Sequence, residues 1–279
     1  MLLSEYINGF DSCDRIAKGG QKKVFKAVKK GITYAFKVIQ DCDDKRVLQE
    51  IEILRQLNIK GVPQIIDVGV LEDGDEQVLY ILEEFIHNDS LRKRVEEKKY
   101  LSLKQAYKIL FDLLTIEIEL EKNGIIHRDI KPDNILLTEE GETYLIDFGV
   151  AKVIGKASLT AVDGRYGPHT PGYAPYEQIM NDRLKINSKT DLYQIGITLY
   201  ELISGVNPFK ENATSHDDIV HRTVRLIPEK LVIVGDDLGR FSAFISMLMS
   251  KNQSQRPENA KKALEYLLLI EDTLKMEDI

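Results

Sequence analysis

The apolar residues of this chain follow two different periods. Over residues 10–40 they crowd in strand fashion. The runs 24–28 and 32–39 are dense in β-branched and aromatic side chains, and Lys29-Lys30-Gly31 between them supplies a turn. Residues 43–57 switch to helical spacing, with Val47, Ile51, Leu54 and Leu57 on one face, and Gly61-Val62-Pro63 ends that helix. Strands are expected again over 65–71 and 77–85, joined through Glu72-Asp73-Gly74-Asp75. Residues 1–86 therefore predict a small antiparallel sheet with one helix.

Beyond residue 87 the helical period dominates. Leu103, Ala106, Tyr107, Leu110, Leu113, Leu114 and Leu120 form one apolar stripe, ended by Asn123-Gly124. Helices are also expected over 188–204, 237–250 and 258–275. A short strand is expected over 143–146, and the Gly- and Pro-containing stretch 150–175 reads as a long functional loop. The segment 210–236, with His216, His221, Arg222 and Arg225, shows the weakest pattern and reads as a solvated loop. The join between the two halves is expected over 84–88.

Composition narrows the classes. A length of 279 residues suits one large domain or two lobes, and a net charge of −7 argues against a uniformly basic nucleic-acid binder. The 2 cysteines, Cys13 and Cys42, are too few for a disulfide framework and lack metal-site spacing. The N-terminus has no cationic region followed by an apolar one, and the late apolar run 266–270 is far shorter than a membrane span. A soluble cytoplasmic protein with no membrane partner is expected.

The densest chemistry lies in His127-Arg128-Asp129-Ile130-Lys131-Pro132-Asp133-Asn134, a loop between a helix and a short strand. Pro132 stiffens its turn, and Asp133 receives no role. Lys37 lies on a strand that is apolar on both sides, and Glu50 lies in a helix beside the apolar stripe, with Glu52 as its local competitor. Asn134 and Asp147 offer hard oxygens of the kind Mg²⁺ prefers.

In their order and spacing, Lys37, Glu50, His127-Arg128-Asp129 with Asn134, Asp147-Phe148-Gly149 and Pro175-Tyr176-Glu177 resemble the eukaryotic-type Ser/Thr protein kinases, in a form similar to bacterial members. The resemblance runs from about Phe10 to Ile270. It implies an α+β bilobal fold in a single domain over 1–279, with an N-lobe at 10–86 and a mostly helical C-lobe at 87–275. It also implies transfer of the γ-phosphoryl of ATP to Ser/Thr hydroxyls of proteins, this chain included. Phosphoryl transfer needs alignment and charge neutralisation more than covalent chemistry. Under the resemblance Lys37, paired with Glu50, holds the α- and β-phosphates. Asp129 orients the acceptor hydroxyl and takes its proton, and Lys131 steadies the transferring group. Asn134 and Asp147 hold Mg²⁺, with Mn²⁺ as an alternative ion. Ala17, Lys18, Gly19 and Gly20 form the phosphate loop. Val24, Ala35 and Leu136 pack on adenine, and the backbone of Glu84 and Ile86 meets its edge.

Other matches are architectural or regulatory. His127 stacks under Phe148, Glu177 pairs with Arg256, and Asp191 holds the catalytic-loop backbone. Arg128 and Lys152 suggest a basic pocket for a phosphorylated loop residue, with Ser158, Thr160 and Tyr166 as acceptors and a homodimer as one route to their modification. Thr170 matches the substrate-facing threonine. Three positions depart from the pattern. The phosphate-loop glycines fall on Ala17, Gly19 and Lys22, with Gly20 extra; Glu83 occupies a back-pocket position that is usually apolar or threonine; and Tyr176 interrupts the run before Glu177. The rival readings are a nucleotide-sensing pseudokinase and a small-molecule kinase of the aminoglycoside or choline type.

Overall fold

The computed structural model describes residues 1–18, 22–40, 51, 55–148 and 169–276, which fall into two compact units divided between His87 and Asn88. The first unit is a five-stranded antiparallel sheet in the order β1-β2-β3-β5-β4. Its strands are β1 (Ser12–Lys18), β2 (Lys22–Lys29), β3 (Ile32–Ile39), β4 (Ile65–Asp73) and β5 (Glu76–Glu84). A short helix, α1 (Leu3–Asn8), precedes them. Ile51, Arg55 and Gln56 are helical, and the rest of the expected helix at 43–57 lies outside the described residues, apart from Leu57, which is not helical.

Strand alternation sorts this sheet into two faces. Tyr34, Phe36 and Val38 of β3 share one face with Phe25 and Ala27 of β2 and Val78, Tyr80 and Leu82 of β5. Leu3, Tyr6 and Ile7 of α1, together with Phe10, pack onto that face. Phe36 is fully buried there, its ring 5.4 Å from Tyr6, 5.7 Å from Phe10, 5.8 Å from Phe25 and 6.1 Å from Tyr80 between centroids. The opposite face carries Val24, Ala35, Lys37, Ile81 and Glu83. Both faces of β3 are buried from Ala35 to Ile39, which is why that strand reads as a nearly continuous apolar run interrupted by one lysine.

The second unit is mainly helical. It contains α2 (Leu91–Glu96), α3 (Leu103–Lys122), a hairpin of β6 (Ile135–Leu137) and β7 (Thr143–Leu145), then α4 (Tyr176–Ile179), α5 (Ser188–Ser204), α6 (His216–Arg225), α7 (Arg240–Leu248) and α8 (Ala260–Ile270). Helix α3 packs against α5 and α8, and α5 against α7. Helix α5 is buried at every position from Thr190 to Leu199, so it is the axis of this unit rather than an amphipathic surface helix. Asn187 caps its start by accepting from the Lys189 N–H, and Gly205 ends it in the left-handed region at φ 82°. At Gly196 a Cβ would lie 2.9 Å from Leu248 Cβ, so glycine there lets α5 and α7 approach.

Two helices depart from the sequence expectation. Helix α6 lies within 210–236, where a loop is expected, and α1 lies ahead of the first expected strand. The β4–β5 turn is also tighter than expected, because both strands extend into the polar residues between them. Replacing Phe36 by Ala removes the ring at the centre of the aromatic face. It is expected to destabilise the protein by about 3–5 kcal/mol, measurable by chemical denaturation.

Candidate active site

Buried polar side chains sit in both units. In the sheet unit Lys37 is held against Glu83 in an ion pair, and the two residues are 6% and 9% exposed. The register explains the encounter. Lys37 lies opposite Ile81 and Ala35 lies opposite Glu83, so the two charges are diagonal neighbours on one face. Val24 pairs with Lys37 and Ala17 with Val24, which extends this face toward the β1–β2 turn. The register shifts between Arg15 and Ala17, a local irregularity within the β1–β2 pairing. Glu84 is exposed, and its N–H donates to the Gln64 carbonyl at 2.9 Å. Ile86 is half-buried. Gly19, Gly20, Glu50, Lys152, Ser158, Thr160, Tyr166 and the Lys18 side chain lie outside the described residues.

In the helical unit the loop 127–134 is held by the side chains of α5. Asp191 accepts the N–H groups of His127 and Arg128, both at 2.7 Å. Gln194 accepts from the Ile130 N–H at 2.8 Å and donates to the Arg128 carbonyl at 3.0 Å; Thr198 donates to the Ile130 carbonyl at 3.4 Å. Asp191, Gln194 and Thr198 are spaced i, i+3, i+7, so one polar face of a buried helix satisfies the backbone of the loop. Gln178 of α4 adds a second donor to the Arg128 carbonyl at 2.8 Å. This frame holds Arg128 at φ 65°, in the left-handed region that non-glycine residues seldom occupy. Of these anchors, only Asp191 is marked by the family pattern.

The loop then gathers the reactive groups. Lys131 Nζ lies 3.0 Å from Asp129 Oδ2, and the Thr170 hydroxyl donates to Asp129 Oδ1 at 2.6 Å. Lys131 Nζ also reaches Thr170 Oγ1 at 3.4 Å. The Asn134 amide nitrogen donates to the Asp129 carbonyl at 2.8 Å, and the Ile146 N–H donates to the Asn134 carbonyl at 2.9 Å. His127 is fully buried. Its Nδ1 accepts from the Asp129 N–H at 3.2 Å, so Nε2 carries the proton and donates to the Ile146 carbonyl at 3.1 Å. Its ring centroid lies 4.7 Å from that of Phe148. His127 therefore grips the residues on either side of Asp147, whose backbone is left-handed at φ 61°. Leu136 is buried on β6 and bridged to Ser90.

Further anchors surround the Thr170 segment. Arg256 pairs with Glu177 at 2.5 Å in a fully buried site, donates to the Ser250 and Lys189 carbonyls at 2.9 Å each, and lies over the Tyr193 ring. Arg92 donates to Glu201 at 2.7 Å, to the Tyr173 hydroxyl at 2.6 Å and to Asp133 at 3.1 Å. Tyr173 also donates to Glu201. Asp133, which has no assignment from sequence, is thus tied to the segment that carries Thr170.

Glu117 is the outlier. It fills the i+3 position after Leu114 in the α3 stripe and is buried, with no hydrogen-bond partner for either carboxylate oxygen. One turn further, Glu121 accepts from Ser188 Oγ and the Ala260 N–H at 2.9 and 3.1 Å. Burial, followed by the charges of Asp191 and Glu121, pushes the Glu117 carboxyl well above the usual carboxylate range. Burial also raises Asp191, but its two N–H donors pull the other way. Glu117 has no such donors to offset its burial.

A raised carboxyl means that the folded protein binds the extra proton between the unfolded and folded values, so stability falls as pH rises across that window. Glu117→Leu is expected to raise the melting temperature at neutral pH and to flatten the decline above about pH 5, read from melts across pH. Arg256→Met leaves Glu177 buried without its cation and is expected to lose about 3–5 kcal/mol on chemical denaturation.

The geometry agrees with the comparisons. The protein kinase domain family model matches residues 10–269. A probable serine/threonine-protein kinase of Clostridium perfringens is 28% identical over 265 residues, covering 92% of this chain and 37% of that protein. A probable serine/threonine-protein kinase of Bifidobacterium longum is 27% identical over 275 residues, covering 94% and 35%. The mouse sperm motility kinase 2B is 28% identical over 259 residues, covering 89% and 49%. The chain spans a third to a half of the length of these relatives. Its sheet unit and helical unit are the two lobes of the α+β bilobal kinase fold. The chain belongs to the protein kinase domain family.

Proposed function

We propose that this protein transfers the γ-phosphoryl group of ATP to serine and threonine hydroxyls of protein substrates, its own loop residues among them. The observation that carries the reading is the triangle of Asp129, Lys131 and the Thr170 hydroxyl, with the hydroxyl 2.6 Å from one carboxylate oxygen and the ammonium 3.0 Å from the other. A substrate hydroxyl held the same way directs its proton at Asp129 and keeps its oxygen beside a cation. Its oxygen forms the new bond to the γ-phosphorus as the bond to the β–γ bridging oxygen breaks. ADP leaves, and the proton passes to Asp129. Lys131 steadies the charge on the group in transit, and Lys37 takes the α- and β-phosphates.

Asn134 and Asp147 fit a hard divalent cation. Both offer oxygens, and the hold of Asp129 on the Asn134 amide nitrogen turns the amide oxygen away from the carboxylate. These residues would hold Mg²⁺, or Mn²⁺ in its place, which supplies charge neutralisation at the phosphates. Among the described residues no cluster of three or more His, Cys, Asp or Glu forms a metal cage. Val24, Ala35 and Leu136 serve adenine, and the backbone of Glu84 and Ile86 serves its edge. Arg128 and Lys152 serve a phosphorylated Ser158, Thr160 or Tyr166. We assign the cytoplasm as the compartment and a second copy of the chain as one phosphorylation partner. No helix of the described residues is long and apolar enough to cross a membrane. The buried Glu177–Arg256 pair and the Thr170 segment favour a protein acceptor over a small metabolite, and the set of Lys37, Glu50, Asp129, Asn134 and Asp147 in the sequence favours catalysis over a binding module.

Labelled ATP and Mg²⁺ incubated with the wild type, Asp129→Asn and Lys37→Met tests the reading. The wild type is expected to label itself or a general protein acceptor on Ser and Thr. Asp129→Asn is expected to lose about 10²–10⁴-fold in rate. Full activity in Asp129→Asn, or label found only in a small metabolite, would overturn it.

A further inference from the structure

Around the Thr170 segment the chain's carboxylates are taken up by its own cations. Asp129 holds Lys131, Asp133 and Glu201 share Arg92, and Glu201 also accepts from the Tyr173 hydroxyl. Lys210 has no carboxylate partner among the described residues. Its Nζ lies over the buried Tyr173 ring, 4.5 Å from the centre, a contact that steadies a cation without neutralising it. Partial desolvation lowers its pKa, and Glu201 offsets only part of that. The residue is nonetheless exposed, so a bound peptide can meet it. Its placement is fixed by the backbone. Buried Asn207 donates to the Gly172 carbonyl at 3.2 Å and accepts the Lys210 N–H at 3.3 Å. Gly172 is left-handed at φ 83°, and a Cβ there would lie 2.9 Å from Lys210 Cε and 3.0 Å from Cγ. Glycine therefore lets the lysine stem cross the chain two residues beyond Thr170, whose hydroxyl meets Asp129.

We propose that Lys210 is a specificity-determining residue that receives an acidic side chain of the protein substrate, within about three residues of the acceptor hydroxyl. The inference rests on the phosphotransfer reading and adds the class of substrate, a Ser or Thr in an acidic segment. Two residues of chain span at most about 7 Å, which keeps the ammonium close to the acceptor. A substrate carboxylate there supplies the anion that Lys210 lacks. A substrate lysine or arginine finds no equivalent partner, because Glu201 and Asp133 hold Arg92 and Asp129 holds Lys131. It would also meet Lys210 as a like charge. The net charge of −7 works against an acidic partner at long range, so the preference belongs to this local pattern. A merely structural role for Lys210, packing its stem on Gly172 and Tyr173, would affect all peptides alike.

The test is steady-state phosphorylation of three synthetic serine peptides by the wild type, Lys210→Met and Lys210→Glu, with Asp129→Asn as the inactive control. The peptides are identical except at the second and third positions on either side of the serine, which carry Glu, Gln or Lys. Lys210→Met keeps the stem and drops the charge, and Lys210→Glu reverses it. The readout is the ratio of kcat/KM between peptides within each enzyme, so a loss of folded protein cancels. The wild type is expected to favour the Glu peptide over the Gln peptide about fivefold, the size of a well-placed surface ion pair. That preference is expected to fall below about twofold in Lys210→Met and to pass to the Lys peptide in Lys210→Glu. In the wild type it is expected to shrink as salt is raised, which reads the same charge without any variant. A wild-type ratio near one, or a preference for the Glu peptide that survives both Lys210 substitutions or high salt, would overturn this inference. Asp129-dependent transfer to the peptides would then leave the phosphotransfer reading standing. Absence of Asp129-dependent transfer to any peptide or protein would overturn both.

Discussion

The arrangement of the acceptor half depends on one buried carboxylate. Asp191 accepts the N–H groups of His127 and Arg128, and these bonds fix the backbone on either side of the left-handed Arg128. A buried carboxylate is tolerable only with such donors. Helix α5 makes the anchor rigid. It is buried from Thr190 to Leu199, capped at Asn187 and closed at Gly205, so Asp191, Gln194 and Thr198 project from a closely packed part of the unit.

A second set of contacts fixes the segment that must meet Asp129. The Glu177–Arg256 pair ties α4 to the turn after α7, and Arg92 gathers Asp133, Tyr173 and Glu201. Breaking a buried pair leaves one charge without compensation, whereas a well-made pair is close to neutral against an apolar replacement. These pairs therefore matter less as sources of stability than as determinants of position. They specify where the backbone around Thr170 lies, and hence how its hydroxyl faces Asp129.

Much of this was legible from residue pattern, and the exceptions have physical reasons. The end of α3 followed from apolar period and the Asn123-Gly124 stop, and α5 was expected over 188–204, because long buried helices declare themselves by periodicity. Helix α6 escaped because only Val220 and Thr223 are buried. Its signals are instead the Ser215 cap, Asp217 and Asp218 in the first turn, and Arg222 and Arg225 in the last. Helix α1 escaped because its six residues offer a single apolar turn, Leu3, Tyr6 and Ile7, whose partner face on the sheet is not evident from local sequence. Within the site, Asp129, Asn134 and Asp147 are marked by their motif. Gln194 and Thr198 are polar residues on a buried helix, a readable conflict whose resolution needs the tertiary contact. Arg92 and Glu201 are 109 positions apart and carry no local signal at all.

Lys131 is paired with Asp129, yet a hydroxyl can join that pair without breaking it. The carboxylate has two oxygens, and Thr170 binds one while Lys131 keeps the other. The acceptor half is therefore preorganised, and a neutral hydroxyl enters it without displacing a charge.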